Sequence, residues 1–485
     1  MKQAILIMVD TQRCDMVGAY PGSPAKTPAL NKLAKEGTLY QKAYTCAPVC
    51  APARSALFTG LYPHSNGVVA NSTPLNQGVK NAGQWLSPHG IECAYMGKWH
   101  LDGGDYFGYG SCPEGYNPRY WYDMKNYLDS LPDDDARLLS RTPMAQRDDD
   151  PPREGTYAHR CCKKAIEFLE EYKNKSFFLT LSLDEPHDPF VCPRSYMDGL
   201  DRRGFKVPKY PNYRAPLDDK PQSHKIWAGR FESVTYEELD KNQRALYACN
   251  EFCDDEIGRV LQRVEELGLE PLIIYTADHG DMLLSHGLVG KGAAMYDEIT
   301  RVPLIIKGQD LPSADTPVSH IDLLPTLMHY FDVKTPKALQ GRALQSLGEG
   351  SRDVFIQYTR YETDHDGFMG YQPIRCITDG RYKLVINLLD SDELYDLDSD
   401  PYEMKNLIED PAYAGVRDTL HDRLIAQMDD TRDNSRGYQW LCRPWREGVE
   451  PSFDNSGMTR QAVEDDYVQL DYSTGLPMEE AVRKK

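Results

Sequence analysis

The chain has 485 residues, of which 40% are hydrophobic and 27% are charged, an ordinary composition for a globular enzyme of about two or three domain-sized units. The formal net charge of −19 argues against nucleic acid and anionic membrane surfaces as partners, although a small anion can still enter a locally basic pocket. No stretch approaches the roughly 20 apolar residues that a membrane span needs.

The first apolar run, residues 4–9, is too short for the hydrophobic region of a secretory signal, and no small-residue cleavage site follows it. It predicts a buried first strand and a cytoplasmic protein. The 12 cysteines agree with this location, because they are scattered and do not show the spacing of a disulfide framework. No CxxC pair with a nearby histidine completes a zinc set.

Short apolar runs alternate with helical patterns in the first two thirds of the chain. The clearest helix covers residues 245–267, with Gly268 as its C-cap. The runs predict strands at residues 4–9, 92–96, 177–183, 272–277 and 302–306. Strands that alternate with helices predict an α/β domain, residues 1–345, in which a large and mostly parallel sheet is sandwiched by helices.

The pattern changes near Gly341. Closely spaced strands are predicted at residues 354–358, 375–378 and 382–386, followed by a helix over residues 414–428. They predict a smaller C-terminal α+β subdomain, residues 346–485, with a small antiparallel sheet, a helix and a tail. Residues 133–152, which carry two Asp triplets and a Pro pair, predict a solvated loop.

Acids, bases and ligand-type side chains follow four of the predicted strands. In open α/β sheets, ligands bind beyond the carboxyl ends of the strands, so these side chains are expected at one edge. Four such coincidences predict a catalytic or metal site there. The residues concerned are Asp10, Lys98 and His100 in the segment GKWH, Asp184 and His187, and Asp278 with His279.

Cys50 begins the most specific motif, C-A-P-A-R-S-A-L-F-T-G over residues 50–60. Pro52 suits the first turn of a helix, which puts Cys50 at a helix N-terminus, where backbone N–H groups favour an anion. Arg54 lies one turn on and can point back to the same place. On these features alone, the motif describes an activated thiol or an oxyanion site, or else a buried cysteine that starts a helix.

This segment resembles the signature of formylglycine-dependent (type I) sulfatases, Cys-x-Pro-x-Arg followed by Thr-Gly, and every fixed position is present. The resemblance extends from about residue 5 to residue 407 and implies an alkaline-phosphatase-like fold. In that family a maturation enzyme oxidises the cysteine to formylglycine, the aldehyde hydrates, and one hydroxyl of the gem-diol attacks sulfur. A cysteine-based phosphatase fits poorly, because its loop separates Cys and Arg by five residues instead of three.

The resemblance also implies a divalent cation. Oxygen-rich ligation favours Ca²⁺ or Mg²⁺. The resemblance implies Ca²⁺, with Mg²⁺ or Mn²⁺ as alternatives. Many sulfatases have a second acid after the first aspartate, whereas this chain has Thr11 and then Gln12, either of which can complete the shell. The implied metal ligands are Asp10, Asp278, His279 and the hydrated side chain derived from Cys50.

The remaining motif positions imply catalytic and substrate-binding functions. Arg54, Lys98 and Lys291 would supply positive charge for the sulfuryl group. Together with Lys98 and Lys291, His187 would bind the substrate and would also protonate the departing oxygen. His100 would take a proton from the second hydroxyl, so that sulfate is expelled and the aldehyde returns.

The sequence says less about the substrate than about the catalytic residues. An aromatic cluster follows His100 and predicts either a wall on which a sugar ring stacks or ordinary packing. Its members are Tyr106, Phe107, Tyr109, Tyr116, Tyr120, Trp121 and Tyr122. His286 and His320 are candidates to face the pocket, whereas His64 is expected to pack or cap locally.

The sequence therefore predicts a sulfatase that acts on a small sulfated carbohydrate, with fragments favoured over polymers because the chain is acidic. The first alternative is a phosphonate monoester or phosphodiester hydrolase on the same scaffold, which the segment GKWH disfavours. The second is a non-catalytic glycan-binding relative, which the retention of Cys50 and of the metal ligands disfavours. The sequence indicates no oligomeric state.

Overall fold

A computed structural model of the protein describes residues 1–309, 315–347, 352–362 and 370–449, together with Leu311, Val468, Leu470 and residues 474–477. The chain forms two compact units, Met1–Asn434 and Ser435–Lys485. The boundary predicted at residue 345 stays a prediction. None of the helices in the described ranges has the length and the apolar character that a membrane crossing requires.

The described residues form the following strands and helices. The strands are β1 Gln3–Val9, β2 Thr38–Tyr40, β3 Ala43–Tyr44, β4 Glu92–Gly97, β5 Trp121–Tyr122, β6 Phe177–Ser182, β7 Leu272–Ala277, β8 Leu304–Lys307, β9 Val318–Ser319, β10 Val354–Arg360, β11 Tyr371–Thr378, β12 Tyr382–Asn387 and β13 Glu393–Asp396. The α-helices are α1 Pro28–Glu36, α2 Cys50–Thr59, α3 Pro63–Asn66, α4 Ala82–Leu86, α5 Met124–Asp129, α6 Asp134–Ser140, α7 Tyr157–Tyr172, α8 Arg194–Arg202, α9 Gln222–Gly229, α10 Tyr236–Glu266, α11 Asp297–Thr300, α12 Leu323–Tyr330, α13 Ala414–Asp430 and α14 Tyr438–Leu441.

The main sheet has seven strands in the order β2-β8-β7-β1-β6-β4-β5. Strands β7, β1, β6, β4 and β5 are parallel to their neighbours in this series. At one edge, β8 runs antiparallel to β7, and β2 runs antiparallel to β8. The predicted mostly parallel sheet is confirmed.

Both faces of the sheet are covered, which explains why its strands read as continuous apolar runs. Alternate residues of β1 pack into different layers, because successive side chains of a strand point to opposite faces. Ile5 and Ile7 lie in the hydrophobic cluster that contains α7 and α10 residues, whereas Leu6 and Met8 lie in the cluster that contains α2 and α12 residues. The predicted sandwich of helices around the sheet is confirmed.

One predicted helix and one predicted loop differ in part from the structure. Helix α10 starts nine residues earlier than predicted, because a capping box between Thr235 and Glu238 begins it with polar turns that carry little apolar pattern. The segment 133–152 is not a plain solvated loop. It contains α6, and the side chain of Met144 is buried in the core.

A second sheet of four antiparallel strands, β10-β11-β12-β13, follows in the chain. Helix α13 packs against β11 and β12. The three predicted strands and the predicted helix are all present, and β13 was not predicted as a strand. The antiparallel sheet and helix of the C-terminal subdomain are therefore confirmed.

Candidate active site

The carboxyl ends of four parallel strands bring charged side chains to one place. Asp10 follows β1, Lys98 follows β4, and Asp278 follows β7, while Asp184 lies two residues beyond β6. All four side chains are buried. Nζ of Lys98 lies 2.7 Å from Oδ2 of Asp10 and 3.2 Å from Oδ1 of Asp184. The strand ends thus bring these side chains together at the edge where the sequence predicted a site.

Gly97 allows β4 to end close to β6. Its φ of +120° suits glycine, and a Cβ at this position would lie 1.8 Å from the carbonyl oxygen of Ser182. Because of this close approach, the backbone N–H of Lys98 donates to the same carbonyl over 2.7 Å. Glycine at this position therefore fixes where the side chain of Lys98 begins.

Cys50 is the first residue of α2, as predicted, and its side chain is buried. The Sγ atom lies 3.3 Å from Nε2 of His279 and 4.0 Å from Oδ1 of Asp10. Burial and Asp10 raise the pKa of the Cys50 thiol. The surrounding cations, led by Lys291 and Lys98, outweigh both effects, so this pKa lies well below its ordinary value.

Asp10, Cys50, Asp278 and His279 form a group suited to a metal ion, since one potential ligand atom from each lies within 4.8 Å of the others. Nε2 of His279 lies 3.7 Å from Oδ1 of Asp10 and 3.6 Å from Oδ1 of Asp278. Two carboxylate oxygens, an imidazole nitrogen and the side chain of residue 50 fit a divalent cation. This is the set that the resemblance implies.

Arg54 lies behind these carboxylates and is fully buried. Its guanidinium donates over 3.0 Å to Oδ2 of both Asp10 and Asp278, which leaves the Oδ1 atoms on the side of His279. It also donates over 2.8 Å to the carbonyl of Lys98 and to Oγ of Ser182. Arg54 thus holds the two carboxylates of the ligand set in place, and the predicted supply of positive charge to a sulfuryl group stays a prediction.

Thr11 and Gln12 lie in different surroundings. The hydroxyl of Thr11 donates to Oδ1 of Asp10 over 2.7 Å, and its backbone N–H donates to Asp278. In contrast, the side-chain amide of Gln12 is bonded to Asn250 and Tyr275, each over 2.6 Å. Of the two residues, Thr11 is the one beside the candidate metal site.

A cavity of about 660 Å³ opens beside the candidate metal site. Lys291 and His187 lie in its wall, and Nζ of Lys291 is 3.0 Å from Nε2 of His187 and 3.9 Å from Oδ1 of Asp10. The lining residues are Thr11, His187, Asp188, Phe190, Arg230, Phe231, Asp281, Val289, Gly290, Lys291 and Tyr361. A larger cavity, about 720 Å³, lies between α1 and α10 and contains none of the predicted site residues.

His187 and His100 differ in their electrostatic surroundings. Burial lowers the pKa of His187, but the carboxylate of Asp188, 2.8 Å from Nδ1, more than compensates and raises the pKa to about 10. Burial lowers the pKa of His100, and a hydrogen bond with Cys50 opposes this effect. The two histidines therefore favour opposite protonation states.

Of the two alternatives for the aromatic cluster, ordinary packing holds for most of its members. Tyr116 and Trp121 are buried in the core on one face of the sheet, and Tyr120 and Tyr122 in the core on the other. They pack because β5 and the turn before it lie at the edge of the main sheet. Tyr109 is 65% exposed. The two remaining members, Tyr106 and Phe107, are partly buried near His187 and Arg141.

The three other histidines singled out in the sequence are buried outside the cavity lining. His286 stacks on Tyr296, and Nε2 of His320 lies 3.1 Å from Oγ1 of Thr276. These two candidates to face the pocket are therefore not among its lining residues. Nδ1 of His64 lies 2.6 Å from Oε1 of Gln357, which confirms the predicted local packing.

Sequence reasoning missed several residues around the site. Arg141 contacts Asp184, and Arg230 and Phe231 line the cavity. They come from loops that lack a spaced motif. The sequence signal that could have indicated a nearby cation was Asp184 after β6, because a buried carboxylate requires charged partners.

Comparison with known proteins identifies the family. The profile described as Sulfatase matches residues 2–333, and the profile described as N-sulphoglucosamine sulphohydrolase, C-terminal, matches residues 285–430. The sulfatase YidJ of Escherichia coli (strain K12) is 41% identical over 483 residues, which cover 98% of this chain and 96% of YidJ. The chain therefore belongs to the sulfatase family, and its activity is that of a sulfuric ester hydrolase.

Solved structures share the fold. A protein in complex with its substrate D-glucosamine-2-N,6-O-disulfate has a TM-score of 0.73 at 21% identity, covering 90% of this chain and 99% of that one. A phosphonate monoester hydrolase from Silicibacter pomeroyi has the same TM-score at 20% identity, covering 90% and 96%. These likenesses confirm the alkaline-phosphatase-like fold predicted from the sequence.

Proposed function

We propose that the protein hydrolyses the sulfate ester of a small sulfated carbohydrate, with formylglycine made from Cys50 and a divalent cation. The observation that carries this proposal is the convergence of Cys50 with two carboxylates and His279 beside a cavity that Lys291 and His187 line. When present, the cation and the modified side chain supply positive charge and a nucleophilic oxygen. The residues that would hold the cation are Asp10, Asp278, His279 and residue 50.

We assign the remaining catalytic roles to four residues of this chain. Lys98 and Lys291 flank Oδ2 and Oδ1 of Asp10 and place two positive charges where a sulfuryl group would gain negative charge. His187 holds a proton on Nδ1 against Asp188, which leaves Nε2 facing Lys291 at the cavity wall. The raised pKa of His187 keeps a second proton on Nε2, and from there His187 protonates the leaving oxygen. His100, which contacts Cys50, accepts a proton from residue 50.

Two observations support a sugar substrate. The cavity of about 660 Å³ has the size of a small-ligand site, and it combines Phe190 and Phe231 with the cation of Arg230. A structurally similar protein was solved with a glucosamine disulfate as its substrate.

Calcium is the cation that we propose, because carboxylate-rich sites favour hard cations, and manganese or magnesium are the alternatives.

The likeness to a phosphonate monoester hydrolase supports a second candidate activity on the same scaffold. Substrate profiling separates the two. We expect the matured protein to hydrolyse sulfated mono- and disaccharides and aryl sulfates, with a kcat/KM for 4-nitrophenyl sulfate about 100-fold or more above that for 4-nitrophenyl phenylphosphonate. The inverse preference would establish the phosphonate activity as the main one.

Metal removal tests the proposed cation. Exhaustive chelation is expected to abolish activity, and calcium at about 100 times its Kd is expected to raise the free energy of unfolding by about 2.7 kcal/mol, since only the folded site binds it. Activity and thermal unfolding report the two effects. The Asp278→Asn variant is the control, because it should show no calcium-dependent stabilisation. Full activity at a metal content of zero, verified by elemental analysis, would contradict the proposal.

A further inference from the structure

Tyr106 occupies the centre of a group of charged side chains beside the candidate metal site. Nζ of Lys98 lies 3.9 Å from the centre of its ring, a short distance for a cation over an aromatic face. Arg141 also lies over this ring, at 5.5 Å. Two cations therefore lie against the ring of Tyr106.

The hydroxyl of Tyr106 connects two other groups of the site. It donates a hydrogen bond to Oδ1 of Asp184, and its oxygen lies 3.2 Å from Nδ1 of His187. Asp184 in turn pairs with Lys98 over 3.2 Å and with Arg141 over 3.4 Å. One side chain therefore touches both the lysine and the histidine that flank the sulfate position.

Lys98 depends on this arrangement. Its ammonium is buried 2.7 Å from Asp10, but among the described residues no acceptor meets Nζ at hydrogen-bond geometry. A lysine side chain is flexible, and without directional bonds its head is held mainly by what surrounds it. The ring of Tyr106 and the carboxylate of Asp184 close two sides of that space.

We propose that Tyr106 is a positioning residue that fixes Lys98 through its ring and His187 through its hydroxyl. This inference rests on the proposed function, because it assumes that Lys98 binds the sulfuryl group and that His187 protonates the leaving oxygen. The two contacts are separable. Tyr106→Phe removes the hydroxyl and keeps the ring, whereas Tyr106→Leu removes both.

The experiment combines leaving-group dependence with sulfate binding in the metal-loaded, matured protein. In Tyr106→Phe, kcat/KM should fall about tenfold more for phenyl sulfate than for 4-nitrophenyl sulfate, because the poorer leaving group needs the proton more. The Kd for inorganic sulfate, measured by calorimetry, should change less than about twofold in Tyr106→Phe. It should rise about tenfold in Tyr106→Leu, the scale of a desolvated cation–aromatic contact.

Tyr109→Leu is the matched control, since Tyr109 lies three residues further along the same loop and is 65% exposed. It should leave both measurements unchanged. An equal loss on both esters in Tyr106→Phe, or unchanged sulfate affinity in Tyr106→Leu, would overturn the proposal. If the wild-type protein binds sulfate but cleaves no sulfate ester, the proposed function fails, and a weakened affinity in Tyr106→Leu would still support the positioning of Lys98.

Discussion

Replacing Cys50 by alanine is expected to lower kcat by about 10⁴-fold or more, the scale found when a nucleophile is deleted. The reason is chemical, since alanine cannot be converted to the aldehyde and removes a member of the candidate metal set. The fold should persist, because the change removes only one buried sulfur atom. Steady-state kinetics on an aryl sulfate, with circular dichroism to check folding, provides the measurement.

Cys46→Ala is the matched control for this experiment. Cys46 is also fully buried, and its Sγ contacts Oγ of Ser319 at 3.2 Å, away from the candidate metal set. Its pKa is raised by burial to about 12, so it is an inert thiol. This variant should retain kcat within about threefold. A Cys50→Ala protein that keeps wild-type activity would contradict the assignment of the nucleophile.

Replacing Arg54 by methionine is expected to destabilise the fold by about 3–5 kcal/mol, because it removes the buried guanidinium that pairs with both Asp10 and Asp278. It should also abolish activity, since Arg54 orients the Oδ1 atoms of Asp10 and Asp278. Arg54→Lys should recover little, because a point charge cannot donate to both carboxylates, the Lys98 carbonyl and Ser182 at once. Urea unfolding and calcium titration measure the two effects.

Arg375→Met separates general destabilisation from damage to the site. Arg375 is buried and paired with Asp433, but it lies in the antiparallel sheet. We expect a loss of stability of the same order as for Arg54→Met, with calcium affinity and specific activity retained by the folded fraction. If Arg54→Met kept its calcium affinity and specific activity at temperatures where it is folded, Arg54 would not orient the ligand set.

The site residues that follow the strands were predictable, because their place in the sequence, directly after a strand, also determines their place at one edge of the sheet. Asp10 and Asp278 come directly after continuous apolar runs, and parallel strands deliver their carboxyl ends to one edge. Cys50 was recognisable from a motif of fixed spacing. For these residues, local sequence determines position, and the sheet brings them together.

Other features depend on tertiary contacts that local sequence does not encode. Arg141 belongs to an acidic, polar segment that contacts Asp184 in the folded protein, where Met144 of the same segment is buried in the core. The sequence of the aromatic cluster is compatible both with packing in the core and with lining a pocket. Most of its members pack in the core because β5 lies at the edge of the main sheet. The sequence did not predict the early start of α10, because the first turns of this helix are polar. They contain a capping box but lack the helical spacing of apolar residues on which the prediction depended.

The central claim is that Cys50 is the precursor of the catalytic group, and peptide mass spectrometry tests it most directly. The protein would be co-expressed with a formylglycine-generating enzyme, and the peptide containing residue 50 would be analysed alongside the Cys50→Ala peptide. The account predicts a loss of about 18 Da from the cysteine peptide, or the corresponding hydrate, in proportion to sulfatase activity. Full activity in protein whose Cys50 is entirely unmodified would contradict it.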